Sequence, residues 1–184
     1  MIDQMIGRLR SKKTFESAIQ IILDDVIALH GAEFGIVQLP IGEELVLVAQ
    51  RGFAETFLQA FRRVGKNDGS ISGRALRLGA PVVIHDVLED DDYIAFRAYA
   101  VKAGYRGVQS TPFFTKNRDL FGVVSTLFAS PHEPTPIEMN ILKTYSEIAA
   151  GYVYEFLGNQ TLAAKAERMS EELYNSGRSL VASR

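Results

Sequence analysis

Residues 107–130 read GVQSTPFFTKNRDLFGVVSTLFAS. Two runs rich in β-branched and aromatic residues, 107–114 and 119–130, flank the polar stretch Thr115–Asp119, which is the pattern of two strands joined by a turn. A second such pair stands near the other end of the chain. EFGIVQLP (33–40) and EELVLVAQ (43–50) are separated by Pro40, Ile41 and Gly42. Hairpins at both ends point to a largely antiparallel sheet, and PVVIHDV (81–87) adds a further strand entered through a proline.

The helices fall around these strands. In residues 14–30 Phe15, Ile19, Ile22, Val26 and Leu29 form one apolar stripe at alternating steps of four and three, with Thr14 as N-cap and Gly31 as the stop. FAETFLQAFRRV (53–64), ISGRALRLG (71–79) and residues 90–103 read as helices, the last ended by Gly104. A long helix begins at Thr135-Pro136, a cap and first-turn pair, and Glu138 completes a capping box. The expectation is an α+β domain: a central, mostly antiparallel sheet of five to six strands with helices on both faces, plus a C-terminal extended helix. Three segments are expected: a helical extension over 1–13, the domain over 14–157, and a signalling or dimerisation helix over 158–184.

Composition narrows the function. The chain has 184 residues, 47% of them apolar, with 20 basic and 22 acidic side chains and a net charge of −2. That balance fits a chain able to bury a core and argues against nucleic-acid binding, which draws most of its affinity from a basic excess. The one basic cluster, Arg8, Arg10, Lys12 and Lys13, reads as a solvated helix flank. No apolar run is long enough to span a bilayer, so no membrane partner and a cytoplasmic location are expected. There is no cysteine. Thiolate chemistry, disulfides, thioether-linked chromophores and Cys-containing zinc sites are thereby excluded.

The stretch VVIHDVLEDDDYIAF (82–96) concentrates acids after a histidine. Adjacent residues on a strand point to opposite faces, so His85 and Asp86 can neither chelate one ion nor act as a base and its orienting acid. Asp90, Asp91 and Asp92 lack the alternating spacing of a calcium loop and read instead as acids at a helix start. No catalytic residue and no metal ligand is assigned, and the protein is expected not to be an enzyme.

The ordered set Gly69, Gly73, Asp86, Gly104, Arg106, Pro112 and Gly122, spread over residues 14–157, resembles a GAF domain. The resemblance implies a PAS-like sensory module with a small-molecule cavity, beneath residues 86–105 here, that signals through its terminal helices to an output domain such as a kinase or transcription factor. By the same resemblance the ligand-binding residues are Ile71 and Ser72 at the short helix, Tyr93, Phe96 and Arg97 on the lid, Ser110 and Ser125 on the sheet floor, and Gln50 at the end of the second strand. Tyr99 stands beside them on the lid. The cofactor is left unknown. A cyclic-nucleotide set and the cysteine of bilin binders or of the methionine sulfoxide reductases of this fold are missing. Two alternatives stay open: a ligand-free scaffold for dimerisation, and a haem sensor through His85.

The C-terminal sequence adds one expectation. Ile141, Tyr145, Ile148, Tyr152, Leu162, Ala166, Met169, Leu173 and Leu180 keep a three-four register, interrupted by Glu155, Asn159 and Ser176. Such a stripe suits a two-helix seam, and a parallel homodimer is expected because little globular sequence remains for the helix to pack upon.

Overall fold

The computed structural model describes the backbone of residues 1–182 and the side chains of residues 1–176. The order is α1 (Ile2–Arg10), α2 (Phe15–His30), β1 (Phe34–Ile41), β2 (Glu44–Arg51), α3 (Glu55–Ala60), β3 (Arg63–Gly65), α4 (Ile71–Leu78) and β4 (Val82–Ile84). A 3-10 turn (Asp91–Phe96), α5 (Arg97–Ala103), β5 (Gly107–Phe114), β6 (Leu120–Phe128), α6 (Pro136–Tyr154), a second 3-10 turn (Glu155–Leu157) and α7 (Leu162–Ala182) complete it. The six strands form one antiparallel sheet in the order β3-β2-β1-β6-β5-β4. The two hairpins read from the sequence are β1–β2 and β5–β6, and β1 pairs with β6 to join them.

Strand alternation divides the interior in two. Val37, Leu39, Phe121 and Val124 face α1, α2, α6 and α7, while Ile36, Val108, Val123 and Leu127 face α3, α4, α5 and the Asp91–Phe96 turn. A bulge between Val37 and Gln38 shifts the β1–β2 register, and the neighbouring Val48 and Ala49 both join the first core. The expected caps are present: Thr14 Oγ1 accepts from Ser17 N, and Thr135 and Glu138 close a reciprocal capping box. Gly31 ends α2 in the left-handed region.

Several expectations are corrected. The helix expected over 53–64 covers only Glu55–Ala60; Arg63–Gly65 instead pairs with Glu44–Val46, which buries Val64 on the exposed flank of β2. Arg8 keeps about half of its side chain in solvent, as expected of a helix flank, but it also reaches inward. Its guanidinium binds the buried carboxylate of Asp25, which also accepts from the Tyr145 hydroxyl at 2.8 Å. Long-range pairing of this kind, from residue 8 to 25 to 145, has no local signature.

The terminal stripe is corrected too. Gly158 adopts φ +55 and breaks the register between α6 and α7. Helix α7 folds back across β1 and β2, where Ala166 and Met169 enter the same core as Met5 and Leu9. Three polar contacts hold it there: Glu167 with Arg63 at 2.7 Å, Lys165 with Glu16, and Arg62 over the Tyr174 ring. The premise that α7 has nothing of its own to pack upon therefore fails. The Leu180 side chain lies outside the described residues.

Candidate functional site

The site implied by the resemblance lies on the sheet face under α3, α4 and the Asp91–Phe96 turn. Its floor is a cross-strand pair: Ser110 and Ser125 stand opposite one another in register, both buried, with hydroxyls 2.7 Å apart. Each hydroxyl satisfies the other, so the pair sits in an apolar surround without an orphaned group. Ile36, Val108 and Leu127 complete the floor.

Helix α4 brings Ile71 and Ser72 to the edge of the same space. Ser70 caps this helix by accepting from Gly73 N, and Gly73 has to be glycine because a Cβ there would strike the Gly65 carbonyl oxygen. Arg74 then reaches out of α4 to Asp90 through two hydrogen bonds of 2.8 and 2.9 Å. Its guanidinium holds the Asp90 carboxyl below the usual carboxylate range. Asp90 also accepts from Tyr93 N, so one carboxylate ties α4 to the start of the lid. Tyr93 turns inward and meets Tyr105 hydroxyl to hydroxyl at 2.8 Å. Burial raises both phenols, Tyr105 to about 12, and neither ionises near neutrality.

The roof is aromatic. Phe53, Phe57 and Phe61 form a stack with centroid spacings of 3.6 and 4.3 Å, and Tyr105 meets the first two edge-on. Phe57 and Phe61, with Tyr93, line the space that remains, which is about 20 Å³, room for a single water. The open cavity expected beneath residues 86–105 is thus corrected to a packed interior. Outside it, a groove of about 180 Å³ between α3 and α5 is also lined by Phe57, together with Tyr99 and Ala103. Phe57 is a residue common to both linings.

Of the eight residues anticipated, Ile71, Ser72, Tyr93, Ser110 and Ser125 line this interior. The other three stand elsewhere. Gln50 accepts from Phe53 N at 3.0 Å and shapes the turn into α3. Phe96 is half-buried against Phe61 and Tyr93. Arg97 donates to the carbonyls of Val87 and Asp90 and approaches Asp91, which fastens the lid from outside. Residues that were missed include Phe57 and Phe61, because an amphipathic helix does not disclose which face it turns to a pocket. Gln38 was missed as well; it is fully buried, donates to Phe61 O at 3.5 Å and leaves its Oε1 without a partner. A lone glutamine among apolar strand residues was its signal.

Asp86 and Arg106, two members of the sequence signature, bind each other. Two hydrogen bonds join them, one of 2.8 Å, and the Arg106 guanidinium holds the Asp86 carboxyl low. Strand β4 ends at Ile84, short of both residues; even so Asp86 is 4% exposed while His85 is 61% exposed, so one side chain is buried and the other is in solvent. His85 touches the His132 carbonyl at 3.3 Å, outside the interior, and the haem alternative loses its ligand. Among the described residues no three His, Asp or Glu side chains gather as a metal site, and no helix is long and apolar enough to cross a membrane.

Comparison with known proteins places this architecture. Residues 12–153 match the GAF domain family. The fold is similar to the GAF domain of the phosphoenolpyruvate-protein phosphotransferase from Acinetobacter, with TM-score 0.69 at 13% identity over 84% of this chain and 90% of that one. The corresponding domain from Coxiella burnetii gives TM-score 0.69 at 16% identity, with the same coverage of 84% and 90%. The free methionine-R-sulfoxide reductase of Neisseria meningitidis, solved with its substrate, gives 0.67 at 18% identity over 90% and 89% of the two chains. No curated protein matches the chain in sequence.

Proposed function

Because the chain belongs to the GAF domain family, we propose that it is a non-enzymatic, cytoplasmic sensory module that takes a small molecule between the sheet and α3 and relays its presence through α7 to an output domain or partner. The observation that carries this reading is the position of Phe57. It lines both an outer groove of about 180 Å³ and an inner space of about 20 Å³ floored by paired serines. Swinging that ring aside would join the two.

The relay follows from what lies behind the roof. On its other side α3 meets α7: Leu58 and Arg62 line one narrow crevice with Leu173 and Tyr174, and Arg62 lies over the Tyr174 ring. A guest that lifts Phe57 and Phe61 therefore pushes the segment against which α7 rests. Homodimerisation through the terminal helices needs a face of α7 other than the Ala166–Met169 stripe, which the sheet covers. Leu173→Glu accordingly tests the seating of α7 on α3.

The test is thermal unfolding of the wild type and Phe57→Ala against nucleotides, amino acids, aromatic acids and haem. A cognate ligand at a hundred times its Kd adds about 2.7 kcal/mol, or roughly 5–10 °C for a chain of this size. A compound that shifts both proteins supports a sensor. The packed interior favours a second reading, a scaffold of the same fold without a ligand. It prevails if no compound moves either melting curve.

A further inference from the structure

The opposite face of the sheet carries a second, larger space. Strand β4 pairs with β5 only through Val108–Ser110, so the β5 segment Thr111–Phe114 continues past its neighbour. Pro112 lacks an N–H there, which leaves the edge unsuited to another strand. Helix α6 leans against the segment and leaves a groove of about 280 Å³ between them. That volume approaches the lower range of small-molecule sites.

Its lining is mixed in an informative way. Phe114 and Leu142 give apolar contact surface. Thr111, 4% exposed, lies at the floor with a hydroxyl that has no hydrogen-bond partner. Next along the same strand face, Gln109 donates to Met139 Sδ and leaves its Oε1 unpaired, and Met139 is itself a groove residue. Gln109 does not itself line the groove, but the orphaned hydroxyl of Thr111 does belong to a groove residue, and a buried hydroxyl without a partner points to an absent one.

The rim carries charge. Arg118 holds φ +67, a conformation that costs a non-glycine residue energy, and its guanidinium lies over the Phe114 ring at 4.5 Å. Among the described residues neither Arg118 nor Lys143 forms an ion pair, although Glu147 stands one turn along α6 from Lys143. A planar guanidinium and a point ammonium flanking an apolar floor suit a carboxylate on a ring-sized apolar body. We propose that the groove between β5 and α6 is a second binding site, for a small aromatic or alicyclic carboxylate. It is independent of the interior beneath α3, from which the sheet separates it.

The test is a titration of the 15N-labelled full chain with benzoate and, in parallel, with the neutral benzyl alcohol. Benzoate should perturb the amides of Thr111, Phe114 and Lys143, and the alcohol should bind at least about tenfold more weakly. Arg118→Gly leaves the hairpin intact, since φ +67 suits glycine; it and Lys143→Gln should each weaken benzoate about tenfold, while Glu147→Gln should tighten it about threefold. Equal binding of acid and alcohol overturns the assignment. So does the absence of perturbation at about 10 mM ligand, where the binding free energy is below about 3 kcal/mol, or a response confined to Ser72, Tyr93 and Ser110, which would put the ligand under α3.

Discussion

His30 makes the stability of this protein depend on pH in a window that opens well above the ordinary carboxylate range. The imidazole is 7% exposed, accepts or donates one hydrogen bond, to Thr126 Oγ1 at 2.8 Å, and leaves Nε2 without a partner. Phe128 and the ring of His132 lie within 6.4 Å. Burial disfavours the imidazolium and pulls the pKa from 6.5 to about 4, with Glu138 opposing the shift and His132 adding to it. The unfolded chain therefore binds the proton first. Stability falls as pH drops below the unfolded value of 6.5 and stops falling below about 4.

Each pKa unit corresponds to about 1.4 kcal/mol, so the complete loss is about 3 kcal/mol, and the part realised between pH 7 and pH 5 is about 2 kcal/mol. Asp86 and Asp90 are held low by arginines, and their contribution is lost only at more acid pH, below the ordinary carboxylate value of 3.8. Urea unfolding at pH 7 and pH 5 isolates the histidine. With a slope near 2 kcal/mol/M, the wild-type midpoint should drop by about 1 M. His30→Gln, which keeps a polar group beside Thr126, should remove most of that drop. His132, also lowered by burial, adds a drop in the same direction that the variant keeps. An equal fall in midpoint for variant and wild type would refute the reasoning.

Other perturbations separate tertiary from local terms. Tyr145→Phe strips the Asp25 carboxylate of an interior donor and should cost about 1–3 kcal/mol in urea unfolding. Gly73→Ala drives a methyl into the Gly65 carbonyl and should cost a similar amount, about 1–3 kcal/mol. Met169→Ala should free α7 at about 2–5 kcal/mol, against less than about 1 kcal/mol for Glu167→Ala, whose ion pair with Arg63 is solvated. Hydrogen exchange of the α7 amides ranks the last two.

What was legible in the sequence was whatever local chemistry dictates. Both hairpins, the Thr14 and Thr135 caps and the Gly31 stop depend on neighbours a few residues away, and the strand positions of Ser110 and Ser125 follow from period-two alternation. What was not legible depends on distant partners. Arg63 and Val64 read as helix because nothing local shows that β2 lacks a neighbour. The seating of α7 was misread for the same reason: an apolar stripe specifies that it will be covered, not by what. Arg97 was placed at the site by the resemblance, yet the carbonyls of Val87 and Asp90 at the lid's start claim its guanidinium.

The packed interior also sets a quantitative condition on any sensory role. Phe57 is 4% exposed, and returning such a side chain to water costs about 1.5–3 kcal/mol, with lost stacking on Phe53 adding about 1 kcal/mol. At about 3 kcal/mol the open form is populated at roughly one part in a hundred, so an observed Kd of about 1 μM would require an intrinsic affinity near 10 nM. The closed form carries no compensating defect at its floor, because Ser110 and Ser125 satisfy one another. Removing the ring should therefore reveal the intrinsic affinity, and Phe57→Ala should bind a cognate ligand up to about a hundredfold more tightly than the wild type. A scaffold gains nothing from that substitution and only loses packing. The sign of the change in affinity, measured by calorimetry on one compound, thus separates a gate from a plug.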